Sequence, residues 1–182
     1  MRYRTPRRRF IAAHGALRKL LGAYLGLHPS EVAFVHNEFG KPALIGAGPG
    51  QFGGRLSFNL SHSGDLALIG IALDAEIGVD VEYIRDEPDF AEIAGWFFAA
   101  EEVEELNRLP DELRGRAFLS GWTRTEAYAK ARGAGLGGMD EMGQPQDWSL
   151  YVLEPAAGYV GAVVVEGSGW RVTHRHAPLE ER

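Results

Sequence analysis

The chain has 182 residues, 45% hydrophobic and 24% charged, with no cysteine, so it is long enough to bury about 70% of its unfolded surface without a disulfide or structural metal. The absent thiols exclude zinc ribbons, thiolate nucleophiles and disulfide scaffolds, and no apolar run approaches the ~20 residues needed to cross a bilayer. The net charge of −6 is unevenly spread: residues 1–20 carry seven basic groups and no acid, whereas residues 74–112 carry fourteen acids and two bases. That asymmetry fits a nucleic-acid arm on an acidic domain, two solvated faces, or an anionic ligand whose phosphates meet the arginines across a divalent cation held by the acids. Residues 1–9 are too polar for a secretory leader, and a soluble, cytoplasmic protein is the expectation.

In chain order, Phe10, Ala13, Leu17, Leu20, Leu21, Tyr24 and Leu25 recur at three- and four-residue intervals and predict an amphipathic helix over Phe10–Leu27, ended by Gly26 and Pro29. Glu31–His36 alternates like a strand, residues 37–42 form a turn, and 46–54 form a Gly- and Pro-rich loop. Three strands follow at Leu56–Leu60, Leu66–Leu73 and Ile77–Tyr83. Their short polar joints, among them Ser61-His62-Ser63-Gly64-Asp65, predict an antiparallel meander. Helical patterns occupy Phe90–Trp96, Glu101–Leu109 and Leu113–Arg132, the last stopping at Gly133. Strand patterns at Trp148–Leu153, Tyr159–Val165 and Trp170–His174 close the chain, and residues 177–182 are expected to fray. Helix followed by antiparallel strands occurs twice, which predicts an α+β fold.

Three short stretches carry chemistry-bearing residues. In Gly78-Val79-Asp80-Val81-Glu82 a strand puts Val79 and Val81 on one face and both carboxylates on the other, either as a solvated face or as ligands of a hard cation such as Mg²⁺. A strand-face carboxylate contributes little to a core, so Asp80→Ala is expected to leave the fold intact. On a helix, Trp122, Glu126 and Lys130 share one stripe, either as core filler beside an ordinary i,i+4 ion pair or as an acid and an amine presented together. Phe58-Asn59-Leu60-Ser61-His62-Ser63-Gly64 ends a strand in hydroxyls and an imidazole, suited to a phosphate or to plain surface.

The order of these motifs is more specific than any one of them. Lys41 in Asn37-Glu38-Phe39-Gly40-Lys41-Pro42, the Asn59-to-Ser63 stretch, Asp80-Val81-Glu82, Phe97-Phe98 followed by Glu102, the Trp122-to-Lys130 helix and Gly133-Ala134-Gly135-Leu136 together resemble the Sfp-type 4′-phosphopantetheinyl transferase superfamily. The likeness runs from about Arg8 to Leu136, and Gly158-Tyr159 is similar to the family's C-terminal part.

The resemblance implies two similar α+β halves arranged as a pseudo-dimer with antiparallel sheets, residues 1–75 and 76–182, with the cofactor between them. It implies transfer of the phosphopantetheine arm of coenzyme A to a serine of an acyl or peptidyl carrier protein, releasing adenosine 3′,5′-bisphosphate. Asp80, Glu82 and Glu126 would ligate Mg²⁺. Glu126, or a water it holds, would take the serine proton, and Lys130 would stabilise or protonate the leaving phosphate. Lys41, Ser61 and His62 would lie near the 3′-phosphate with Asn59 shaping the turn, helped by an arginine of Arg7-Arg8-Arg9. The implied partners are coenzyme A and an acidic carrier, with no nucleic acid and no membrane, and a monomer is the state that the resemblance implies. Thr125 stands where the family commonly has Lys, and Arg124 points about 100° away on a helix. Family members also carry a strand and helix ahead of the Arg-rich segment, so the first half is expected to lack an edge strand. The same carboxylates would serve a Mg²⁺-dependent nucleotide phosphohydrolase, and the same surfaces a non-catalytic coenzyme A or carrier-binding module.

Overall fold

A computed structural model describes residues 6–45, 56–85, 90–135 and 147–177. The expectations for 46–54, Leu136 and 178–182 lie outside the described residues. Helix α1 (Pro6–Leu25) starts four residues ahead of its apolar stripe, because proline is tolerated in a first helical turn and arginine is a good helix former. It buries Ala13, Leu17 and Leu21, and the last two pack with Val32, Leu56 and Phe58 in one apolar cluster. Strands β1 (Phe34–His36) and β2 (Pro42–Leu44) pair antiparallel around the expected turn. There the Asn37 Oδ1 accepts the N–H groups of Phe39 at 3.0 Å and Lys41 at 2.8 Å, an Asx turn.

Strands β3 (Leu56–Ser63) and β4 (Leu66–Leu73) form an antiparallel hairpin closed by Gly64 and Asp65 alone, with Gly64 at φ 55°. Ser61, His62 and Ser63 therefore belong to a strand, which corrects their reading as a loop and the role of Asn59 as a turn former. The meander is corrected as well. Strand β5 (Ile77–Tyr83) makes its ladder with β7 (Tyr159–Glu166), which in turn pairs with β6 (Trp148–Leu153), giving the order β5-β7-β6.

What joins β3 to β5 is a row of side chains. The Asn59 Oδ1 accepts the Val79 N–H at 2.9 Å, the Ser61 Oγ the Val81 N–H at 3.4 Å, and the Ser63 Oγ the Tyr83 N–H at 3.0 Å. The constant offset of 20 residues means that the two strands run side by side in the same direction. Alternate side chains of one strand thus take the place of the carbonyls that β5 would otherwise need, since buried N–H groups must find acceptors.

Helices α2 (Phe90–Phe97) and α3 (Ala100–Arg108) lead into α4 (Asp111–Arg132), which stops at Gly133 in the left-handed conformation, φ 66°, as its glycine predicts. Phe98 fills the space above Gly121, and Phe97 meets the Trp122 ring edge-on at 5.4 Å, so the α2–α3 corner is keyed onto α4. Helix α4 then packs Ala127 and Ala131 against Ala162 and Val164 of β7. Residues 170–174 are not a strand: Gly167 and Gly169 at φ 82° and 78° turn the chain. The Trp170 indole N–H bonds the Glu166 carbonyl at 2.7 Å while its own carbonyl accepts the Tyr151 hydroxyl at 2.8 Å.

The result is an α+β fold in which α1 covers the β3–β4 side and α4 covers the β5–β7 sheet. Gly78 sets the second contact. A Cβ there would sit 2.0 Å from the Ala127 carbonyl oxygen and 2.3 Å from the Ala131 nitrogen, so strand and helix touch backbone to backbone. Gly78→Ala should accordingly cost at least about 1–3 kcal/mol, read as a lower urea midpoint at unchanged slope.

Candidate active site

The close contact at Gly78 brings the next side chain on the same strand face, Asp80, within reach of Lys130 on the same stretch of α4. Asp80 is 3% exposed. Its Oδ1 accepts the Lys130 ammonium at 2.6 Å and the Ser61 hydroxyl at 2.7 Å. Lys130 also lies 3.5 Å from the Glu126 carboxylate and 3.4 Å from the Ser61 Oγ. Two residues on, Glu82 accepts the Ser63 hydroxyl at 2.7 Å and an Arg85 N–H at 3.4 Å. The expectation of a strand face carrying Asp80 at little cost to the core is therefore corrected, because α4 covers the face that bears it.

The site gathers two carboxylates, Asp80 and Glu126, on one ammonium, with Glu82 two residues further along the strand from Asp80. Burial raises the Glu126 carboxyl above its ordinary 4.5; Lys130 opposes that, and the charges of Asp80 and Glu82 add to it. Desolvation and two like charges outweigh one good partner. The second Asp80 oxygen, Oδ2, is buried and has no hydrogen-bond partner among the described residues. A buried, unpartnered carboxylate oxygen is costly and is the kind of donor that a hard cation takes. An all-oxygen set of Asp80, Glu82 and Glu126 fits Mg²⁺ on that ground. Among the described residues no three acid or imidazole side chains are already gathered as a ligand set, and here the Lys130 ammonium lies between Asp80 and Glu126.

The other expected site residues divide into two places. His62 is exposed, on the β3 face opposite to Asn59, Ser61 and Ser63, and lines a shallow depression with Arg9, Ala13 and Leu66. Its rim is tied by Arg9 to Asp65 at 2.9 Å, and the Asp65 N–H bonds the Tyr159 hydroxyl at 3.1 Å. Lys41 lies elsewhere: its ammonium donates to the Ala131 carbonyl at the end of α4 and to Glu76, while the Asn37 Nδ2 donates to the Gly133 carbonyl at 2.8 Å. That loop docks on the helix end. The single proton of the Ser61 hydroxyl goes to Asp80, so it is not on offer to a phosphate oxygen. Arg124 pairs with Glu102 at 3.1 Å, and Glu102 also accepts the Ala99 N–H at 3.2 Å to cap α3. Ser63 received no role from the sequence, although the period-two row Asn59, Ser61, Ser63 was the signal that could have found it.

Two outcomes follow from this geometry. Asp80→Ala strands Ser61 and Lys130 and should cost about 1–3 kcal/mol by urea unfolding, less than for a fully buried pair because Lys130 reaches solvent. A raised Glu126 pKa means that the folded state holds this proton more tightly than the unfolded one. Its contribution is stabilising below the ordinary carboxylate range and is lost as pH rises through the raised value. In chelator, Glu126→Gln should gain stability relative to the parent chain as pH rises above the ordinary carboxylate range, a trend measurable by urea titration at each pH.

Comparison with known proteins sets this geometry in a lineage. The chain matches the 4′-phosphopantetheinyl transferase superfamily over residues 76–173, the span that holds Asp80, Glu82, Glu126 and Lys130. It is 40% identical to the 4′-phosphopantetheinyl transferase HetI of Nostoc sp., over 93% of this chain and 76% of that protein. It is 35% identical to the putative 4′-phosphopantetheinyl transferase slr0495 of Synechocystis sp., over 86% of this chain and 63% of that one. With the 4′-phosphopantetheinyl transferase AcpT of Salmonella typhimurium it shares 37% identity over 54% of this chain and 48% of the relative. The chain thus spans less than two thirds of the second and third of these proteins. No described helix is long and apolar enough to cross a membrane. With a relative 40% identical across nearly its whole length and a family match over its second half, this chain belongs to the 4′-phosphopantetheinyl transferase superfamily.

Proposed function

We propose that this chain transfers the 4′-phosphopantetheine of coenzyme A to a serine of an acidic acyl or peptidyl carrier protein. The observation that carries the reading is the convergence of Glu126 and Lys130 from a helix, both half-buried, on the buried Asp80 of a strand. Asp80, Glu82 and Glu126 would hold Mg²⁺, which when bound supplies neutralisation of the charge on the bridging phosphates.

In the reaction the carrier serine oxygen bonds to the phosphorus that bears the pantetheine arm, and the bond from that phosphorus to the adenosine 3′,5′-bisphosphate oxygen breaks. The serine proton passes to Glu126, directly or through a water. Lys130, already within reach of the cluster, meets the negative charge that collects on the departing phosphate. His62 and Arg9, side by side at the depression beside α1, suit the 3′-phosphate. The co-substrate would then lie along the β3–β5 joint, between the halves 1–75 and 76–182.

Mass spectrometry of an apo carrier after incubation with coenzyme A, Mg²⁺ and this chain tests the proposal. The expected result is a carrier heavier by one phosphopantetheine, lost on adding chelator. Nucleotide turnover without a carrier would assign a phosphohydrolase instead, and ligand binding with no mass gain a binding module. His62→Ala should raise KM for coenzyme A more than it lowers kcat, as read from initial rates of carrier labelling.

A further inference from the structure

We propose that Ser61 and Ser63 are positioning residues for the carboxylates, their hydroxyls holding Asp80 and Glu82 in the orientation in which they receive a divalent cation; this rests on the metal reading above. Three rungs join β3 to β5, and each needs only an acceptor for a β5 N–H group. Asn59 supplies one to Val79 with its amide oxygen at 2.9 Å, which shows that stitching alone does not demand a hydroxyl. At the next two rungs the acceptor is a serine, and a hydroxyl adds a proton to donate.

Both protons go to the same kind of partner. Ser61 donates to the Asp80 Oδ1 and Ser63 to the Glu82 Oε2, each at 2.7 Å, the short distance of a charge-assisted bond. Each serine is therefore gripped at its acceptor side by a β5 N–H group and at its donor side by the carboxylate borne on the residue before that N–H. A carboxylate anchored through one named oxygen has lost its rotational freedom. For Asp80 the anchored oxygen is Oδ1, shared with Lys130, and the oxygen left over is Oδ2, buried and without a partner among the described residues. Outer hydrogen bonds of this sort orient ligands, and removing them typically weakens metal binding by about 10–100-fold.

The same strand holds a control. Ser57 lies one rung earlier on the same β3 face, with its hydroxyl 3.4 Å from Glu76, outside the site. Free Mn²⁺, followed by electron paramagnetic resonance, is the probe, titrated alone into the full chain. Ser61→Ala and Ser63→Ala should each raise the Mn²⁺ Kd about tenfold or more, Ser57→Ala should stay within about twofold, and Ser63→Thr, which keeps a hydroxyl, should recover most of the loss. In carrier labelling, Ser63→Ala should raise KM for Mg²⁺ while kcat at saturating Mg²⁺ changes less.

Cooperative unfolding of each variant guards against loss of fold, and if Ser61→Ala does not fold, the Ser63→Ala and Ser63→Thr pair decides. Parent-like Mn²⁺ affinity in folded Ser63→Ala overturns the proposal. Asp80→Asn separates the two failures. If it loses Mn²⁺ while the serine variants keep it, only the role of the serines falls; if it binds Mn²⁺ as the parent does, the metal reading falls and the serine roles with it.

Discussion

Asp80 carries a charge to a place that water barely reaches, and much of the surrounding structure answers to that burial. An isolated carboxylate in such a setting would shift its pKa or unfold the site. Here one oxygen is met by an ammonium and a hydroxyl together, so the charge is tolerated. The partners come from two other elements, β3 and α4, which makes this one β5 side chain the point at which strand, strand and helix must agree.

Two joints enforce the agreement, and they differ in kind. Between β5 and α4 the contact is steric: Gly78 lacks a Cβ, Ala127 and Ala131 are small, and the helix backbone comes down onto the strand. Between β3 and β5 it is polar, a row of Asn59, Ser61 and Ser63 oxygens that stand in for a ladder. The first brings Lys130 and Glu126 to Asp80. The second aligns the β3 hydroxyls with both β5 carboxylates, so a register slip along either joint would dissolve the cluster.

The cluster carries stored electrostatic cost. Two acids share one ammonium, the Glu126 carboxyl is lifted by burial, and one Asp80 oxygen has no partner among the described residues. Such costs gather at functional sites because groups poised for ligands cannot also be satisfied by the protein. The adjacent regions are conventional by contrast. Phe97, Phe98, Phe118 and Trp122 interlock as an apolar hub, and Glu102 doubles as helix cap and partner of Arg124.

Most elements and the order of the motifs are legible in the sequence. The spacing of Ala13, Leu17 and Leu21, the short strand patterns of β4 to β7, and Gly133 as the stop of α4 are local signals, readable because helix and strand preferences act over a few residues. Which strand β5 would pair with was not local, and the meander failed for that reason. β7, 80 or so residues later, won the ladder, and β3 was left to reach β5 through its side chains. The burial of Asp80, the engagement of Lys41 at the end of α4, and the strand rather than loop at Ser61 to Ser63 were decided by tertiary packing. Burial and hydrogen-bond partners belong to surfaces brought together from distant parts of the chain, and no window of neighbouring residues contains them.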